Sequence, residues 1–244
     1  MLLEIAVFNI SSAIAAEKAG ANRIELCENP YDGGTTPSYG TLKTVREKIS
    51  IPVFPIIRPR GGDFFYNEEE FEVMKKDILL CKELGFKGAV TGLLHKDGSI
   101  NIERTKQLVE LAHPLQITFH RAFDRAKEPL VALEDVIKTG CARILTSGQK
   151  PNVLDATALV KELVLQAKER IVILPGSGVR SNNIFQLAKE TDTKEFHSSA
   201  RKESASEMQY TVASMNETLT NTAVDTEEVK RMKAVLGGLC SSFQ

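Results

Sequence analysis

The chain has 244 residues, 42% hydrophobic and 26% charged, with 31 basic and 32 acidic side chains and a formal net charge of −1. That balance excludes the strongly basic surface that nucleic acid or an anionic membrane selects for, and no apolar run approaches the ~18 residues of a membrane span. The length, close to the ~250 residues of a (β/α) barrel, predicts a single domain over 1–244 that acts on a small molecule.

The first strand is expected over residues 2–7, where Leu3, Ile5 and Val7 alternate and Glu4 makes the start unlike a signal peptide, so a cytoplasmic setting is expected. A helix over 9–20 follows, with Ser11 or Ser12 as its cap and Gly20 at its stop. Residues 22–27 form the second strand, then a glycine-rich loop and a helix over 39–49. The third strand, 53–58, opens into Arg58-Pro59-Arg60-Gly61-Gly62-Asp63, and a helical pattern over 68–84 carries Phe71, Met74, Ile78 and Cys81 at helical spacing. Further strands are expected at 87–91, 116–120, 142–145, 171–174 and 195–197, alternating with helices at 102–112, 130–139, 155–168 and 184–189. Eight strands, each followed by a helix, are the pattern of a (β/α)8 TIM-type barrel; a doubly wound sheet fits less well because no G-x-G-x-x-G follows the first strand. The Ser/Thr-rich stretch 202–226 reads as a polar surface loop, ordered or not, before a last helix at 229–236.

In such a barrel the strand exits form the working face, and here they are polar. Glu25 and Cys27 leave the second strand, Arg58 and Arg60 the third, His120, Arg121 and Asp124 the fifth, Ser147 the sixth and His197 the eighth. A carboxylate at the end of an apolar strand needs a partner, and Arg58 on the neighbouring strand is the expected one for Glu25. His120, titrating near neutrality, is the expected general acid or base, with Asp124 four residues on to orient it. Arg58, Arg60 and Arg121 offer forks for a carboxylate or phosphate, while Gly176, Ser177 and Gly178 offer amides to an anion. Of the four cysteines, Cys27, Cys81, Cys141 and Cys240, none forms a C-x-x-C pair, so reduced thiols are expected and only Cys27 lies near the chemistry.

Six strings carry a resemblance: RIELC at 23–27, GGTTPSYG at 33–40, IRPRGGDF at 57–64, TFHRAFD at 118–124, RILTSG at 143–148 and EFHSSA at 195–200. Together they resemble the family called copper homeostasis protein CutC. The resemblance implies a cytoplasmic TIM barrel, commonly oligomeric, linked to copper tolerance or trafficking, with motif residues at Glu25, Cys27, Arg58, Arg60, Asp63, His120, Arg121, Asp124 and His197. Copper is thus an implied cofactor, with Cys27 as its metal ligand. Cu(I) prefers clustered thiolates and thioethers, which this sequence does not space together. Two expectations follow: a copper-handling protein, or an enzyme on a small anionic or sugar-like metabolite using Glu25 and His120. A homodimer or higher homo-oligomer is the expected assembly.

Overall fold

The computed structural model describes residues 1–217 and 219–242, with side chains to residue 239; the side chain of Cys240 lies outside the described residues. The chain alternates strand and helix throughout: β1 (Leu2–Val7), α1 (Ile10–Lys18), β2 (Arg23–Leu26), α2 (Tyr39–Lys48), β3 (Val53–Pro55) and α3 (Glu68–Glu83). It continues with β4 (Gly88–Thr91), α4 (Ile102–Ala112), β5 (Gln116–Phe119), α5 (Pro129–Thr139), β6 (Arg143–Thr146), α6 (Thr157–Ala167), β7 (Val172–Pro175), α7 (Ile184–Thr191) and β8 (Glu195–Ser198). After β8 come β9 (Arg201–Ala205), β10 (Thr220–Val224) and α8 (Thr226–Ser242).

The strands of the (β/α)8 barrel form two four-stranded parallel sheets, ordered β3-β2-β1-β8 and β4-β5-β6-β7. Beyond β3 the ladder passes to β4 through a bridge between Ile56 and Val90, where the Ile57 amide donates to the Val90 carbonyl at 2.7 Å. On the other side β7 and β8 lie side by side, with Gly176 against the His197 ring.

Strand alternation sorts the two layers of the core. Leu3, Ile5 and Val7 of β1 and Ile24 and Leu26 of β2 face outward into one apolar cluster with Ala13, Ala16, Leu42 and Val45 of the helices. The inward positions are of another kind, since Glu4, Arg23, Glu25 and His197 are all buried. Branched apolar side chains usually fill this place; here Phe54, Ile56, Val90 and Cys27 make only a small apolar cluster among the charges. Gly88 leaves room for Phe54, because a Cβ there would stand 2.5 Å from the Phe54 ring and 2.6 Å from the Gln116 carbonyl. Gly88→Ala is therefore expected to cost about 1–3 kcal/mol, read as a lower urea midpoint; an unchanged midpoint would mean that the Phe54 ring can move aside.

Three local expectations change. The cap of α1 is Asn9, whose extended backbone lets its side chain accept the Ser12 amide at 2.8 Å, so Ser12 is the capped residue and not the cap. The stretch expected as a loop over 202–226 begins and ends as an antiparallel ribbon, Arg201 pairing with Val224 and Ala205 with Thr220. Thr220, Thr222 and Val224, at alternate positions, supply strand propensity, and the Asn9 side-chain amide ties the ribbon to the barrel through the Thr222 carbonyl at 2.8 Å. The last helix, α8, starts three residues earlier than the apolar spacing suggests, because Asp225 accepts the Glu227 and Glu228 amides at 3.1 and 3.2 Å. Among the described residues no helix is long and apolar enough to cross a membrane.

Candidate functional site

The strand exits open on a cavity of about 480 Å³, a size suited to a small molecule. Its wall includes Glu25, Cys27, Arg58, His120, Arg121, Asp124, Ser177, Gly178 and His197, which the strand-exit rule brings to one place. Arg60, Ser147 and Gly176 are not in the wall.

At the floor, β1, β2 and β8 stand in register with Glu4 opposite both Arg23 and His197. Glu4 is ion-paired to Arg23 and meets His197 Nδ1 at 2.8 Å. Burial alone would raise the Glu4 carboxyl, but the His197 hydrogen bond and the Arg23 charge hold it far below the ordinary range. An ionised Glu4 only accepts, so His197 donates its Nδ1–H. The other ring nitrogen lies 3.8 Å from Glu25 Oε2. Burial would depress His197; the hydrogen bond to Glu4 and the charge on Glu25 outweigh it and raise the imidazole. Burial pushes the Glu25 carboxyl up, against the pull of His197. Below this row Arg23 also meets Glu195 at 2.7 Å, Glu195 meets Arg143 at 3.0 Å, and both guanidiniums stack on Phe54.

His120 is buried and takes the Ala122 amide on Nδ1 at 3.2 Å, which puts the proton of the neutral ring on Nε2. That Nε2 is buried without a partner among the described residues. Burial, reinforced by the Arg58 charge, pushes its pKa down to about 3. His120 is thus a neutral hydrogen-bond donor at working pH and not the base that its ordinary pKa suggests. Gly92 makes space for it, since a Cβ there would come within 2.6 Å of Nδ1.

The arginines differ most from expectation. Arg58 does not reach Glu25, because Glu25 pairs in register with Phe54, four residues before Arg58. Its guanidinium donates instead to the carbonyls of Asp32, Gly34 (2.8 Å) and Gly62 (3.0 Å) and lies over Phe64. Carbonyls of the glycine-rich loops, invisible in a residue string, capture the fork. Arg60 is engaged with Glu70, Asp63 at 3.0 Å and the Phe65 carbonyl at 2.7 Å, clamping its own loop outside the cavity. Arg121 reaches Asp124 at 2.7 Å and Ser147 at 2.9 Å.

Asp124 does not orient His120. The short helical turn at 121–125 swings it toward β6, where it accepts from Thr146 Oγ1 at 2.6 Å, Ser147 Oγ at 2.9 Å and the Ser147 amide at 2.9 Å. Ser147 is occupied in the same knot, its one hydroxyl proton shared between Asp124 and the Lys150 carbonyl 2.6 Å away. Gly176 is a spacer, its Cβ position 2.7 Å from Leu145 and 3.1 Å from His197. Ser177 turns its hydroxyl to the Pro151 carbonyl at 2.6 Å. Helix α7 begins only at Ile184, so its N-terminus is not next to Gly178.

Three arginines of the wall were not singled out by sequence: Arg125, Arg180 and Arg201. Each lies a few residues past a polar strand exit, and that offset is the signal. Glu4 was also missed as a site residue, although an acid at an inward position of β1 marks it.

The donors do not fit a preformed copper centre. Cys27 is 2% exposed, and burial with the adjoining Glu25 charge keeps its thiol protonated, its pKa far above the ordinary value. Among the described residues no three His, Cys, Asp or Glu side chains converge on a point that could hold a metal ion. Cys81 and Cys141 are buried elsewhere in the apolar layer.

Comparison with known proteins extends over nearly all of this architecture. The fold of phosphoribosyl anthranilate isomerase from Thermotoga maritima superposes with a TM-score of 0.61 at 10% identity, covering 98% of this chain and 100% of that one; it shares the barrel alone. The crystal structure of CutC from Streptococcus agalactiae superposes with a TM-score of 0.77 at 35% identity, covering 82% of this chain and 98% of that one. A family protein CutC of Chromobacterium violaceum is 50% identical over 209 residues, 86% of this chain and 85% of its own length. The human copper homeostasis protein cutC homolog is 46% identical over 209 residues, 86% of this chain and 77% of that protein. The CutC family profile itself matches residues 1–202, ending where the ribbon begins, and the chain belongs to the CutC family.

Proposed function

We propose that the chain acts on a small anionic metabolite in this cavity, in the cytoplasm, and that the copper-homeostasis role carried in its relatives' names runs through that chemistry and not through a tightly held copper ion. Glu25 carries the reading: a buried carboxyl in the cavity wall, its pKa raised by burial and its oxygen 3.8 Å from an imidazole, is a group placed to exchange a proton with a bound substrate. His197, locked by Glu4, is the adjoining proton reservoir. His120 offers its unpartnered Nε2–H to a substrate oxygen on which charge develops. The described cysteines, unpaired and buried, suit a reducing compartment.

Direct copper trafficking is the second reading, favoured by the presence of Cys27 in the wall. A thermal-shift screen of small anionic metabolites, followed by turnover of the hits, separates the two. Glu25→Gln is expected to bind the same metabolite and lose about 10²–10⁴-fold in turnover. In anaerobic Cu(I) titration, wild type and Cys27→Ser are expected to be alike. Stoichiometric Cu(I) binding that Cys27→Ser abolishes, beside a screen with no hit, would replace the enzyme reading with the copper one.

A further inference from the structure

The mouth of the cavity carries positive charge that the chain itself leaves unused. Five arginines line it. Arg58 and Arg121 are taken up by carbonyls, Asp124 and Ser147. Among the described residues the guanidiniums of Arg125 and Arg180 have no ion-pair or hydrogen-bond partner, and that of Arg201 makes a single bond of 3.3 Å to the Pro30 carbonyl. Arg180 follows β7 and Arg201 follows β8, the neighbouring sectors in which barrels place phosphate. Gly178, two residues before Arg180, also in the wall and at φ +82°, keeps an amide that no acceptor among the described residues takes.

We infer that the mouth is a phosphate subsite and that the substrate class is a small phosphomonoester, its dianion held by Arg125, Arg180 and Arg201 with the Gly178 amide, its uncharged body reaching down to Glu25 and His120. Charge decides between anions. One carboxylate is satisfied by one fork, whereas a dianion with three terminal oxygens takes two or three guanidiniums. The floor supplies independent support, because the buried, unpartnered Nε2 of His120 needs an acceptor that the protein does not contain. A substrate anchored by its phosphate at the rim would place an oxygen of its body there.

This inference rests on the proposed metabolite chemistry and deepens it, and its test does not depend on turnover. Isothermal titration of the full chain with inorganic phosphate at low ionic strength is expected to show one site, with Arg180→Gln and Arg125→Gln each weakening it about tenfold or more and Lys43→Gln, on an outer helix, leaving it unchanged. Acetate is expected to bind at least about tenfold more weakly than phosphate. Unaltered far-UV circular dichroism and thermal midpoints of the variants guard against misfolding. Absence of phosphate binding, equal affinity for acetate, or wild-type affinity in both arginine variants would overturn the subsite. Glu25→Gln is expected to keep phosphate affinity; if it does while turnover also persists, the acid–base reading fails and the phosphate site stands. Hits confined to unphosphorylated anions would do the reverse.

Discussion

Arg23→Met is expected to destabilise the chain by about 3–5 kcal/mol, the range for removing one partner from a buried ion pair. The substitution keeps an unbranched stem and removes the charge together with the guanidinium donors. Arg23 is 3% exposed and bonds both Glu4 and Glu195. Without it Glu4 keeps His197 alone, and Glu195 keeps Arg143 alone. Two carboxylates are then buried with too little compensation. The exposed Arg170–Glu134 pair on the outer surface is the contrast, and Arg170→Gln is expected to leave the midpoint nearly unchanged, because solvent screens that pair. Urea denaturation of both variants at pH 7 measures the difference. Equal midpoints would mean that the barrel interior admits enough water to solvate Glu4, and the charged floor would then contribute little.

His120 gives the second large effect, on the acid limb of stability. The unfolded chain protonates this histidine near 6.5, but the folded chain refuses the proton until about 3. A folded pKa below the unfolded one means that its contribution is complete above 6.5 and is lost as pH falls from 6.5 toward 3. The loss is about 2 kcal/mol by pH 5, at ~1.4 kcal/mol per unit. His120→Asn, which keeps an acceptor for the Ala122 amide, is expected to flatten this limb. His197 has the opposite sign. Its folded pKa is raised, so its contribution is complete below 6.5 and is lost as pH rises through the folded value. His197→Gln is expected to flatten the alkaline side instead. Denaturation midpoints at pH 5, 6, 7 and 8 read both slopes, and parallel profiles for wild type and His120→Asn would exclude a buried neutral imidazole.

Much of this architecture is legible in the sequence, because strand and helix periods depend on neighbours in the chain. Apolar spacing in 68–84 and Gly20 after α1 mark their elements directly. The polar strand exits likewise mark Glu25, Cys27, His120 and His197, which line one cavity. What could not be read is which partner each charged side chain finds. Arg58 is captured by backbone carbonyls, and every residue has one of those, so no residue string singles them out. Asp124 turns to Thr146 and Ser147 because the helical turn at 121–125 redirects it. The ribbon escaped because its two strands are separated by 14 residues without a turn signature between them. Arg180 and Arg201 were in view but lay just beyond the short motifs that drew the reading.

The row formed by Glu4, Arg23 and His197 also bears on how the barrel is assembled during synthesis. Glu4 and Arg23 leave the ribosome almost together, and His197 and Glu195 follow some 170 residues later. Until the eighth strand arrives, the first carries an acid neutralised on one side only. Its arrival supplies a hydrogen-bonding imidazole for Glu4 and a second carboxylate for Arg23 in the same step. A one-residue slip of that strand would turn both side chains out into the apolar layer. The eighth strand therefore has a single seat in the barrel, fixed by charge before the ribbon and α8 are added.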